Sequence, residues 1–179
     1  HGGYIELFDM DHPTGQPLGH TVVVHTNKTL LVQKSEFEAI PDKDTLHQLA
    51  NRYCDGVFTD EDRERYGPIE YWNIHLITDL SDLFMYKDTF NQPLNNWDVS
   101  HVTDMSSMFN KAKMFNQPLD SWDVSHVTNM SSMFCDAKVF NQPLNNWNVG
   151  KVVHLDNMFY DALAFNQSLN SWDVSNVTT

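Results

Sequence analysis

The segment FNQPLNNWDVSHVTDMSSMFNKA, residues 90–112, decides the architecture, because it returns twice nearly whole and once truncated at a step of 25 residues. Phe90, Phe115, Phe140 and Phe165 keep that step, and so do Leu94, Leu119, Leu144 and Leu169. Met108, Met133 and Met158 keep it too, each followed by Phe, as do Ala112, Ala137 and Ala162. All the tryptophans of the chain, Trp72, Trp97, Trp122, Trp147 and Trp172, fall on the same step. A degenerate first copy, YWNIHLITDLSDLF at 71–84, supplies Trp72, Ile74, Ile77, Leu80, Leu83 and Phe84 but lacks the FNQPL opening, as an end repeat often does. The last copy stops at Thr179, before its Met-Phe pair, so the natural protein is expected to continue.

Within one unit Trp97 and Val99 alternate with polar Asn96, Asp98 and Ser100, a two-residue period that predicts a short strand over 96–100. Met105, Met108, Phe109 and Ala112 follow i, i+3, i+4, i+7, which predicts a short helix with Thr103 or Asp104 as N-cap. Pro93 falls in the turn before the strand, where its missing N–H costs nothing. So short a unit cannot bury its own apolar side, so copies must stack. The expected fold is therefore an α/β solenoid: a leucine-rich-repeat-like stack of about five strand-plus-short-helix rungs over residues 68–179, with parallel strands roughly 4.8 Å apart. Burying one Trp or Phe contributes roughly 1.5–3 kcal/mol. Core packing thus explains the aromatic column without a cofactor or base-stacking role. Asn91, Asn116, Asn141 and Asn166, each followed by Gln, are expected at a bend, where side-chain amides satisfy backbone groups of the neighbouring rung.

The N-terminal third divides into a β-hairpin region, 1–40, and a capping helix with connector, 41–67. TVVVHT (21–26) and TLLVQ (29–33) flank Asn27-Lys28 and read as a hairpin, and HPTGQPLG (12–19) reads as a loop. In PDKDTLHQLANRYC (41–54), Leu46, Leu49, Ala50 and Tyr53 share one helical face, with Asp42 or Asp44 as N-cap. This helix is expected to cover the first rung near Trp72 and Ile74. TDEDRERYG (59–67) reads as a charged connector, with Arg63 and Arg65 solvated or paired to nearby acids.

The unit FNQPLNNWDVSHVTDMSSMF resembles the repeats of BspA-like leucine-rich-repeat surface proteins. Leu94-x-x-Trp97-x-Val99 is similar to the L-x-x-L-x-L signature of leucine-rich repeats, with Trp in place of one Leu. The resemblance covers residues 68–179. It implies an adhesive or scaffolding role without naming a ligand, and it brings no catalytic residues.

Composition narrows the partners. Lys plus Arg number 11 against 24 Asp plus Glu, a formal charge of −13, which repels nucleic-acid phosphates and anionic lipid and suits a basic protein or a cation. No apolar run approaches the roughly 20 residues a membrane-spanning helix needs. Cys54 and Cys135 have no metal-ligand spacing. No nucleophile–base pair, phosphate loop or zinc-spaced cluster is apparent, so the chain is read as a non-enzyme with no cofactor and no metal site. His12, His20 and His25 lie near a turn-rich loop without ligand spacing. His101 and His126 share a repeat position with Lys151 and Asn176, so no chemistry requires His there. The sequons at Asn27, Asn129, Asn166 and Asn176 follow mostly from repetition.

The candidate binding surface is the predicted strand face, where repetition aligns short polar groups in columns. Its residues are Tyr71, Asn96, Ser121 and Asn146, then Asn73, Asp98, Asp123, Asn148 and Asp173, flanked by His75, Ser100, Ser125, Gly150 and Ser175. Neighbouring carboxylates in the second column could hold Ca²⁺; the plainer reading is that each Asp caps its own turn, since Asn73 and Asn148 do the same work. The expected function is a protein-interaction or adhesion module at a cell surface or outside the cell, binding a protein partner or host surface that is basic or cation-bridged. The alternative is a structural component of a particle or coat, such as a virion protein.

Overall fold

The computed structural model describes residues 23–24, 30–31 and 37–179. The chain divides into two units, His1–Phe37 and Glu38–Thr179. In the first, β1 (Val23–Val24) pairs antiparallel with β2 (Leu30–Leu31), in register Val23 to Leu31. The rest of the expected hairpin, the loop at 12–19 and the histidines at 12, 20 and 25 lie outside the described residues.

In the second unit, α1 spans Lys43–Cys54 and starts where Asp42 Oδ1 accepts from Thr45 N at 2.7 Å. Leu46, Leu49 and Ala50 are buried in one core with Trp72 and Ile74, and the Tyr53 ring meets Trp72 edge-on at 6.1 Å. The stretch read as a connector contains a helix, α2 (Asp60–Tyr66). Its start is a reciprocal capping box: Asp62 N donates to Thr59 Oγ1, and Thr59 N donates to Asp62 Oδ2. The signal was legible as T-x-x-D before the helix but was outweighed by the charge of the segment. A single 3₁₀ turn, Ile69–Tyr71, leads into the repeats.

The repeats overturn the expected α/β solenoid. From Trp72 to Thr179 there is no α-helix and no strand, only turns, irregular stretches and isolated parallel bridges joining Asn73 to Ala39, Asp79 to Asp104, Asp104 to Asn129 and Asn129 to His154. The periodicities placed the side chains on the correct side but assigned the wrong backbone. At 96–100, Trp97 N is spent on Leu94 O (3.0 Å) and Ser100 N on Asp98 Oδ1 (3.2 Å), so these donors face their own turn and build no ladder. At 105–112, Met105, Ser107, Phe109 and Lys111 donate to carbonyls of the next layer, at 2.8–2.9 Å, while Met108, Asn110 and Ala112 close turns within their own. Ser107 (φ 55°) and Lys111 (φ 62°) are left-handed, as are Ser132, Asp136, Asn157 and Asp161 at the matching positions. A right-handed helix cannot hold a left-handed residue every fourth position. A chain of tight turns can, and it presents Met105, Met108, Phe109 and Ala112 inward all the same.

The result is a stack of layers around an aromatic core. Phe84, Phe109, Phe134 and Phe159 form one column with ring centroids 5.5–5.8 Å apart between layers. Phe90, Phe115, Phe140 and Phe165 form a second, 5.9–6.0 Å apart. Trp72, Trp97, Trp122 and Trp147 are all buried, and Trp172 is partly so.

Candidate functional site

The layers are held at their bends by polar side chains that work between repeats. Asn116 N donates to Asn91 Oδ1 at 2.9 Å, and Gln117 Nε2 donates to Asn91 O and Oδ1. The same set joins Asn116 to Asn141 and Gln142, and Asn141 to Asn166 and Gln167. These amides satisfy the neighbouring backbone, but at a half-exposed edge rather than in the interior. Four of the five Trp indoles reach across a layer: Trp97 Nε1 donates to Ile69 O, Trp122 to Leu94 O, Trp147 to Leu119 O and Trp172 to Leu144 O, at 2.7–3.0 Å, while Trp72 Nε1 donates to Gly67 O at 3.1 Å. The cross-layer bond needs an indole N–H, which an aliphatic side chain lacks, and spacing alone did not reveal it.

The predicted site residues form exposed columns on turns, not on a strand face. Tyr71 and Asn73 are half-buried, and Asn96, Asp98, Ser121, Asp123, Asn146, Asn148 and Asp173 are exposed. In the acid column each side chain folds back on its own turn. Asp123 Oδ1 accepts from Ser125 N at 3.0 Å, Asn148 Oδ1 from Gly150 N at 3.2 Å and Asp173 Oδ1 from Ser175 N at 3.0 Å. Asp98 Oδ1 takes both Ser100 N and, at 2.7 Å, Ser100 Oγ. Hydrogen bonds from the Ser125 hydroxyl and backbone hold the Asp123 carboxyl below its usual range, against partial burial and the like charge of Asp98. The bonds of Ser175 do the same for Asp173. The turn-capping role of this column is thus on view, and no cluster of three or more His, Cys, Asp or Glu suited to a metal occurs among the described residues.

The first column splits into two behaviours. Ser121 Oγ donates to Asn95 O (2.7 Å) and Oδ1 (2.6 Å) of the preceding layer, and Ser171 contacts Asn145 in the same way. Layers therefore alternate, an Asn-Asn layer being followed by one with Ser at the second place.

A further column, not singled out in the sequence, lies at the bridges. Asp104 Oδ1 accepts from Ser106 N (2.8 Å), and Asp104 Oδ2 accepts from Asn129 Nδ2 (3.1 Å). At the first layer α1 takes the neighbour's part: Lys43 Nζ donates to Asp79 Oδ2 at 2.8 Å and to Ser81 Oγ at 2.6 Å. Burial would raise the Asp79 carboxyl, but the bonds from Lys43 and Ser81 together hold it below its usual range. The Asn129 amide is thus committed to the stack, and Asn176 Nδ2 likewise donates to Gly150 O at 2.7 Å. Asn27 lies outside the described residues.

Other reactive groups are engaged or quiet. His101 Nε2 lies 3.0 Å from Ile74 O. Arg65 pairs with Glu38 at 2.7 Å, and Arg63 with Asp60 and Phe58 O. Burial pushes the Cys54 thiol up to about 11 and raises that of Cys135, so neither is a thiolate at neutral pH. No helix among the described residues is long and apolar enough to cross a membrane.

No curated protein and no solved structure matches the chain. A family match does extend over residues 53–172, from the end of α1 to Trp172, and so takes in most of the stack. The chain belongs to the family described as Mycoplasma protein of unknown function, DUF285, a family associated with BspA-like repeats.

Proposed function

We propose that the chain is a BspA-like repeat protein that acts as a non-catalytic protein-interaction or adhesion module at a surface, with the column Asn73, Asp98, Asp123, Asn148 and Asp173 and its neighbours as the contact face. One observation supports this most: the column is repeated in every layer with its side chains already fixed to their own turns. Side chains ordered in advance lose little entropy when a partner docks. They are also short, so a partner can approach the backbone closely. The recurring charge is negative, which favours a basic or cation-bridged partner and binding that weakens with salt.

The test uses two double variants against cell surfaces or a candidate basic partner. Asp98→Asn with Asp123→Asn removes charge and keeps the turn acceptor, as Asn148 does naturally. Asp98→Lys with Asp123→Lys reverses the charge. Binding should weaken in the first and be lost in the second, both folded. Unchanged binding by both would move the contact to another face.

A further inference from the structure

Tyr86 (59% exposed), Met114 (54%) and Val139 (37%) are large apolar side chains left in the open on three successive layers. All three lie in one corner of the stack, formed by residues 86–89, 111–114, 136–139 and 161–164. Cross-layer bonds place these spans side by side: Met114 N donates to Asp88 O and Ala164 N to Lys138 O. The Lys111 ammonium sits over the Tyr86 ring, 4.7 Å from its centroid, and Lys113 pairs with Asp88 at 2.7 Å.

The charge of this corner differs from that of the rest of the chain. In a molecule of net charge −13, lysines gather here. The first two layers carry Lys87, Lys111 and Lys113 against Asp88, with Asp55 just beyond α1 paired to Lys87 at 3.2 Å, which leaves one positive charge over. The next two carry Asp136 and Asp161 against Lys138 alone. One half of the corner is therefore positive and the other negative, with Met114 and Val139 at the boundary.

We infer that this corner is a self-association surface, through which two copies of the chain pair antiparallel about a two-fold axis. Two strongly acidic molecules repel one another over most orientations. At this corner the repulsion is absent, and an antiparallel approach sets the positive half of each copy over the negative half of the other. A two-fold contact uses the same patch on both copies and so must be self-complementary. This polarity along the stack meets that condition, while a parallel pairing would oppose like charges. Met114 and Val139 then meet near the axis, where apolar area leaves water. The inference is independent of the function proposed above.

Sedimentation of the full chain over a range of concentrations tests it. The wild type should show a reversible dimer. Met114→Glu with Val139→Glu should raise the dimer Kd tenfold or more without moving the melting midpoint. Should that pair fold poorly, Tyr86→Asn serves, since Asn suits the left-handed backbone there (φ 61°). Lys111→Glu and Asp136→Lys should each weaken the dimer, and the two together should restore most of it. A wild type that stays monomeric throughout would overturn the inference. So would a dimer insensitive to the corner variants but lost in Val174→Lys, which alters the far end of the stack. A charge pair no better together than singly would overturn the antiparallel arrangement.

Discussion

Trp122 sits mid-stack and joins two kinds of cohesion, so its replacement separates them. The side chain is 4% exposed and stacks on Trp147 at 6.4 Å, with Phe109 at 6.5 Å. Its indole N–H donates to Leu94 O at 2.9 Å, a carbonyl that also accepts Trp122's counterpart Trp97 N within the layer below. Trp122→Ala removes the ring and leaves a void between layers that cannot collapse without moving both neighbours, a change that costs about 3–5 kcal/mol. Trp122→Phe keeps most of the stacking but loses the interlayer hydrogen bond. A net hydrogen bond is worth roughly 0.5–1.5 kcal/mol, and Leu94 O keeps one donor, so about 1 kcal/mol is expected beyond the loss of ring area. Urea denaturation followed by fluorescence gives both differences, and the midpoint should fall in the order wild type, Phe, Ala. If Trp122→Ala shifted the midpoint no more than a surface substitution, the stacking argument would be refuted. If Trp122→Phe matched wild type, the indole bond would have no role.

Three further outcomes follow from the same bonds. Asn116→Ala removes the acceptor shared by Asn141 N and Gln142 Nε2 and should cost about 1–2 kcal/mol by denaturation; a midpoint equal to wild type would deny the bend amides their role. The carboxyls of Asp79, Asp123 and Asp173 are lowered in the folded chain, so their contribution is present above the unfolded value of about 3.9 and lost as pH falls through the folded values. The melting midpoint should therefore drop below about pH 4, less steeply when Asp123 and Asp173 are both Asn. Deleting residues 1–67 should uncover Trp72 and Ile74 and cause aggregation seen by light scattering; a monomeric truncation of equal stability would deny α1 its capping role.

The stacking direction, the core and the amide bends were legible because they depend on which side chains recur, and the 25-residue step fixes that directly. The backbone was not, and Met105, Met108, Phe109 and Ala112 show why. Their i, i+3, i+4, i+7 spacing reports an apolar side, and a run of tight turns presents the same side as a helix does. The distinguishing signal lay in residues that looked incidental. Asp82, Ser107, Ser132 and Asn157 occupy one position, all short and polar, and Asp and Asn are among the non-glycine types that adopt a left-handed backbone most readily. Similarly, alternation at Trp97 and Val99 located the inward residues but not the fate of the Trp97 and Ser100 amides, which bind their own turn. In the candidate columns, the turn-capping role was readable from the interchange of Asp and Asn. The Ser121–Asn95 contact between layers and the Lys43–Asp79 contact from α1 were not, because each depends on a neighbour that spacing does not identify.

The turn-built backbone is tested most directly by comparing Ser132→Gly with Ser132→Ala. Ser132 has φ 57°, and its N–H donates to Asp156 O of the next layer at 2.8 Å, a bond that either variant keeps. In a helix interior Gly is less stable than Ala by about 0.8–1 kcal/mol. At a left-handed position Ala instead bears a steric cost of roughly 1–2 kcal/mol that Gly escapes, less Gly's larger unfolded-state entropy. The account predicts that Ser132→Gly unfolds at a higher urea midpoint than Ser132→Ala. The opposite order would mean that this segment is helical after all and that the layers are not built from left-handed turns.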